Sequence, residues 1–188
     1  MAIYKIFPEQ SATLYSFYPT LNTGNDEILE ISTFLSVNDS DEVSRALLQF
    51  PQDEIDSIFT DKVKTSQFDA YVKLSLAKAS ELPLNYTLHT HPIAASWEVG
   101  TGRLANLPIT TDGVSWGWTN EVSGSAWTNG IFPTGITGSY SSNIGGGTWY
   151  TSSAFESTQS FGKRSNKDIE LKVTNVVNAW VSGAIDNN

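Results

Sequence analysis

The chain has no cysteine, which excludes disulfide staples and thiolate zinc sites and leaves stability to packing alone. Charge is scarce as well: Asp, Glu, Lys and Arg make up 16% of the 188 residues, against about 25% in ordinary globular domains. That scarcity suits neither a disordered chain nor a long solvated helix. No apolar run approaches the ~18 residues of a membrane span, and the opening eight residues, up to Pro8, are too short and too interrupted for a secretory leader. Membrane partners are therefore not expected, and synthesis in a cytosol is, unless an upstream segment was removed. Histidine is limited to His89 and His91 and no Gly-x-Ser-x-Gly elbow occurs, so nucleophilic hydrolysis has little to build on.

What is there is aromatic and turn-forming: 6 Trp, 7 Tyr, 9 Phe and 14 Gly. This composition, at a length typical of one domain, predicts a single all-β domain over 1–188. The net charge of −9 repels nucleic acid, which is excluded as a partner. The acidity is uneven, since residues 1–94 carry 6 basic and 13 acidic groups and residues 95–188 carry 5 and 7. The acidic first half is expected to face solvent.

Two-residue alternation predicts strands at Ile3 to Phe7, Ala12 to Ser16, Glu27 to Val37, Ser44 to Phe50, Phe68 to Leu76, Leu84 to His91 and Asp168 to Thr174. Asn22-Thr23-Gly24 reads as part of a turn. Pro51 at a first helical position, with Asp53 and Glu54 behind it, predicts a short helix to Phe59. A second is predicted after a Thr174 cap, with Val176, Val177, Trp180 and Val181 on one face and Gly183 as its stop. Trp180 is then a core residue.

Gly113 to Phe155 differs in kind, holding nine glycines and four tryptophans but a single charge, Glu121. Charge depletion with aromatic enrichment marks surfaces that become buried against partners. The stretch reads as a long loop or arm, within an insertion at about 100–165. Trp118, Trp127 and Trp149 are its interface candidates, joined by Trp116, Tyr140 and Tyr150 as interface or sugar-platform residues. Core filling is the competing reading for Trp116. Gly145-Gly146-Gly147 has no Lys-Ser/Thr behind it and reads as a flexible bend.

Other chemistry is thinly represented. His89 and His91 share the polar face of a strand and could present two imidazoles to one metal, but the sequence names no third ligand and the pair reads as solvated. Glu98 beside Trp97 is the best glycosidase carboxylate, without a partner to give it force. Asn38 to Glu42 could hold calcium through oxygen ligands, yet lacks the glycine and distal glutamate of an EF-hand. No catalytic residue, resident metal or cofactor is expected, calcium being the one ion kept in view.

In order along the chain, Ala12-Thr13-Leu14-Tyr15, Asn22-Thr23-Gly24, Arg45-Ala46-Leu47-Leu48-Gln49-Phe50, Asp69-Ala70-Tyr71-Val72-Lys73-Leu74, Trp97-Glu98, Asp168 to Thr174 and Val177 to Gly183 resemble a DNRLRE-type β-sandwich domain. The opening Ile3 to Pro8 with Ala12 to Ser16 and Asn22 to Glu30 is similar to the start of virion structural proteins of marine tailed phages. The resemblance implies a jelly-roll-like antiparallel sandwich without enzymatic activity. It also implies a head, neck or tail component made in the host cytoplasm, multi-copy or homo-oligomeric among other virion proteins. The family pattern also implies one last apolar strand after the terminal turn, whereas this sequence stops at Ile185-Asp186-Asn187-Asn188, which leaves two readings, a truncated chain or an edge strand supplied by a partner. The alternative function is a carbohydrate-binding or adhesion module using the same aromatics.

Overall fold

The computed structural model describes residues 2–35, 41–63, 67–79, 85–127, 136–137, 145–162 and 164–188. Strands dominate, and all pair antiparallel, as expected of an all-β protein. They are β1 (Gln10–Tyr15), β2 (Thr33–Leu35), β3 (Asp41–Gln49), β4 (Tyr71–Leu74), β5 (Asn85–Thr90), β6 (Trp118–Asn120), β7 (Ser125–Ala126), β8 (Ile136–Thr137), β9 (Trp149–Tyr150), β10 (Ser157–Gly162) and β11 (Ile169–Lys172). Two short helices, α1 (Gln52–Asp61) and α2 (Thr174–Val181), complete the elements among the described residues.

The largest sheet has the order β1-β3-β2, and β5–β10, β4–β11, β6–β7 and β8–β9 form two-stranded ladders. In the first sheet Ala12 pairs with Leu47 and Leu14 with Arg45. Ala12, Leu14 and Leu47 are buried with Trp97, Val114, Trp116 and Trp127 in the core cluster, against which Val43, Ile93, Ala95 and Val99 pack. The outer edge of β1 is closed by a side chain: the Thr13 N–H donates to Thr23 Oγ1 at 2.8 Å and the Thr23 hydroxyl donates to the Thr13 carbonyl at 2.7 Å. An edge strand is thereby denied to further pairing at that point.

The turn motif Asn22-Thr23-Gly24 is buried rather than solvated. Asn22 donates to the carbonyls of Val99 at 2.7 Å and Val114 at 2.8 Å. Its Oδ1 accepts from the amides of Gly102 at 2.7 Å and Gly24 at 3.2 Å. Loops distant in sequence converge on this one amide, and a Cβ on Gly24 would stand 2.0 Å from the Val99 oxygen, so glycine is required there by close approach rather than by flexibility.

The stretch read as an arm supplies core. Val114, Trp116 and Trp127 are 0%, 7% and 1% exposed, although hydroxyl-rich sequence argues for a surface. The hydroxyls are satisfied internally: Ser115 Oγ donates to the Pro19 carbonyl at 2.9 Å and Thr119 Oγ1 to the Ser125 carbonyl at 3.1 Å. Paired in this way, small polar residues enter a core without a desolvation penalty. Residues 128–135 and 138–144 of the stretch, with Tyr140, lie outside the described residues.

Smaller expectations also change. Ile3 to Phe7 alternates but has no ladder, and the segment is irregular and mostly exposed. Pro51 flanks α1 as its N-cap rather than entering it. Thr174 is the first residue of α2, not its cap, and its hydroxyl accepts from the Ala70 amide at 3.0 Å. Gly183 ends α2 as expected, at a φ of 69° that favours glycine. Trp180 is half-buried rather than fully in the core. No helix among the described residues is long and apolar enough to cross a membrane.

Candidate functional site

The β5–β10 ladder places Thr158 opposite His89 and Ser157 opposite Thr90. One step further, beyond both strand ends, Glu156 falls opposite His91. Residues two apart on a strand share a face, and cross-strand neighbours meet on it, so His89, His91 and Glu156 converge. His89 Nδ1 lies 2.6 Å from Glu156 Oε1, and His91 Nε2 lies 3.9 Å from the same oxygen. An ionised carboxylate only accepts, so His89 carries its proton on Nδ1 and donates it. That bond holds the Glu156 carboxyl below the usual carboxylate range. Burial holds His91 below the ordinary imidazole value, outweighing the opposing pull of Glu156.

Beside the pair stands an aromatic–cation stack. The Arg45 guanidinium carbon lies 4.7 Å from the centre of the Trp149 ring and 4.9 Å from that of Trp116. Both distances are within cation–π reach, and Arg45 Nη1 also donates to the Gly146 carbonyl. The other neighbour of Trp149 is His91, with ring centroids 6.2 Å apart. Trp149 is fixed by its bridge to Ile93 and by flanking bonds from Ala94 N to Thr148 O at 2.8 Å and from Tyr150 N to Pro92 O at 3.1 Å. Gly145 and Gly146 are not a flexible bend but a buried turn laid on Trp116: a Cβ on Gly145 would meet the Trp116 oxygen at 2.5 Å.

Of the candidates named from sequence, Trp127 is enclosed, its Nε1 donating to the Ser115 carbonyl at 2.9 Å, so it cannot serve as an exposed interface or sugar platform. Trp116 is likewise buried, which settles it as core rather than platform, its indole covered by Arg45. Trp118, Trp149 and Tyr150 are half-exposed, and Trp149 with Tyr150 belongs to the cluster just described. Glu98 is exposed beside a buried Trp97. Of the calcium candidate, Asn38, Asp39 and Ser40 lie outside the described residues, while Glu42 accepts from the Ser16 hydroxyl at 2.6 Å.

Sequence reasoning missed Arg45 and Glu156. Arg45 had a signal, as a lone cation within an apolar strand; Glu156 had none, because only the β5–β10 register brings it to the histidines. Compared with known protein families, curated proteins and solved structures, the chain matches none.

Proposed function

We propose that the protein is a non-enzymatic virion structural component that acts through protein–protein contacts, its small sheets packing as a jelly-roll-like sandwich of the DNRLRE type. The observation that carries this is exposed apolar surface on two irregular segments. Ile3, Tyr4 and Phe7 are 73%, 45% and 76% exposed, and Leu104, Leu107 and Ile109 are 42%, 92% and 45% exposed. Large apolar side chains gathered on a surface mark contact sites. The second segment is held to the rest of the protein by polar bonds, Leu104 N to Asp26 Oδ2 at 3.0 Å and Asn25 N to Gly102 O at 2.9 Å, so its apolar tip is presented outward on a fixed base. The ordered resemblance to virion proteins gives these contacts their setting, in many copies on a particle assembled in a host cytoplasm.

Density-gradient fractionation of the source lysate, probed with an antibody against the chain, tests this. Co-migration with particles through a high-salt wash is expected. The double variant Ile3→Glu/Phe7→Glu is expected to keep its far-ultraviolet circular dichroism and to stay in the soluble fraction. Recovery of the unaltered protein only in that fraction overturns the proposal.

A carbohydrate-binding reading rests on one observation, the half-exposed Trp149 ring stacked with a guanidinium beside Tyr150. Saturable quenching of tryptophan fluorescence by an acidic glycan, lost in Trp149→Ala, is what that reading requires.

A further inference from the structure

We propose that His89, His91 and Glu156 form a binding site for one zinc ion at the open end of the β5–β10 ladder. Two strand-borne imidazoles and one carboxylate supply three ligand atoms, all within 4.8 Å of one another. Tetrahedral zinc with bonds of about 2.0–2.1 Å spaces its ligand atoms about 3.4 Å apart. His89 Nδ1 and Glu156 Oε1 at 2.6 Å, and His91 Nε2 and the same oxygen at 3.9 Å, each lie within about an ångström of that spacing, and the two imidazole nitrogens are within 4.8 Å of each other. The ion takes the place of the proton that His89 now shares with the carboxylate. His91 turns its Nε2 toward Glu156, while its Nδ1 is buried without a hydrogen-bond partner among the described residues. An imidazole that ligates through Nε2 carries its proton on Nδ1.

The donor set selects the metal. Imidazole suits zinc and its late first-row neighbours, whereas calcium requires six to eight oxygens. Three protein ligands leave a fourth position to water, and the side-chain exposures of 53%, 24% and 33% for His89, His91 and Glu156 leave the ion an entry path. The Arg45 charge opposes a dication, but the guanidinium is held between Trp116 and Trp149 rather than turned into the triad. The ion would join residue 156 to residues 89 and 91, pinning a ladder whose last pair is Ser157 with Thr90, so binding stabilises the fold by mass action. This inference is independent of the virion reading.

The test is isothermal titration of the chelator-stripped full chain with zinc chloride, alongside thermal unfolding with and without zinc. One zinc per chain is expected, with a thermal midpoint that rises with zinc and returns on adding EDTA. His89→Asn/His91→Asn should bind none, and Glu156→Gln should bind at least about tenfold more weakly, as the loss even of an outer partner can cause. Should the double variant fail to fold, His89→Asn alone decides, since that side chain is solvent-facing. Absence of saturable binding, unchanged stoichiometry in His89→Asn, or displacement of zinc by millimolar calcium would each overturn the assignment.

Discussion

Asn22 is 0% exposed, and all of its amide hydrogen-bonding directions are used, two carbonyls accepting from Nδ2 and two backbone amides donating to Oδ1. Its sequence context, Asn-Thr-Gly, is that of a surface turn, and nothing in it announces burial, because three of the four groups it satisfies lie 77 to 92 residues away. Each buried backbone group left unpaired costs about 1–3 kcal/mol. Asn22→Ala is therefore expected to lower unfolding stability by about 3 kcal/mol or more, read from urea denaturation, and Asn22→Asp is expected not to restore it, since a carboxylate lacks the two donors. Tyr15 is a second residue whose role was hidden by an ordinary alternation pattern. It is 3% exposed, and its hydroxyl donates to Glu30 Oε2 at 3.0 Å. Burial first, and the Glu30 charge second, push its pKa well above that of free tyrosine. A raised folded-state pKa means that the contribution is complete below the unfolded value of about 10 and is lost as pH rises beyond it. Stability measured by urea denaturation should fall steeply above about pH 10, and Tyr15→Phe should flatten that alkaline limb.

At the scale of elements, period-two patterns were legible in several strands with one drier face and one wetter one, although β10, which alternates likewise, was not foreseen. β4, β5 and β11 alternate between exposed and more buried positions as their residues suggest, and the α1 helix was legible from Pro51 and its acidic first turn. Ile3 to Phe7 has the same pattern without a partner strand, and alternation alone does not supply one. Within Gly113 to Phe155 the polar composition hid the core contribution of Val114, Trp116 and Trp127, because neighbouring hydroxyls bond to backbone inside the fold. The consequence is testable. Removing Gly113 to Phe155 takes Val114, Trp116 and Trp127 from the central cluster, so this deletion is expected to unfold the protein, seen as loss of cooperative thermal melting. Trp127→Ala alone should cost about 3–5 kcal/mol by denaturant titration, whereas Trp118→Ala, on a half-exposed residue of β6, should cost distinctly less.

For the whole molecule, abundant aromatics and glycine with few charges sufficed to indicate an all-β protein, and the two short helices were also foreseen. The candidate cluster was half legible: the histidine pair stands in the sequence at a ligand-like spacing, while Glu156 and Arg45 join it only through the fold. That dependence on distant partners has a further meaning for how the molecule is made. Arg45 bonds to Gly146, and Asn187 Nδ2 donates to the Phe50 carbonyl at 2.8 Å across 137 residues. On a ribosome adding about 5–20 residues per second, the apolar face of β1 and β3 is synthesised before the tryptophans that cover it and waits roughly 4–16 seconds for Trp127. Until then the nascent chain presents Ala12, Leu14 and Leu47 uncovered, which makes the emerging first half, acidic though it is, a client for chaperones during its own synthesis.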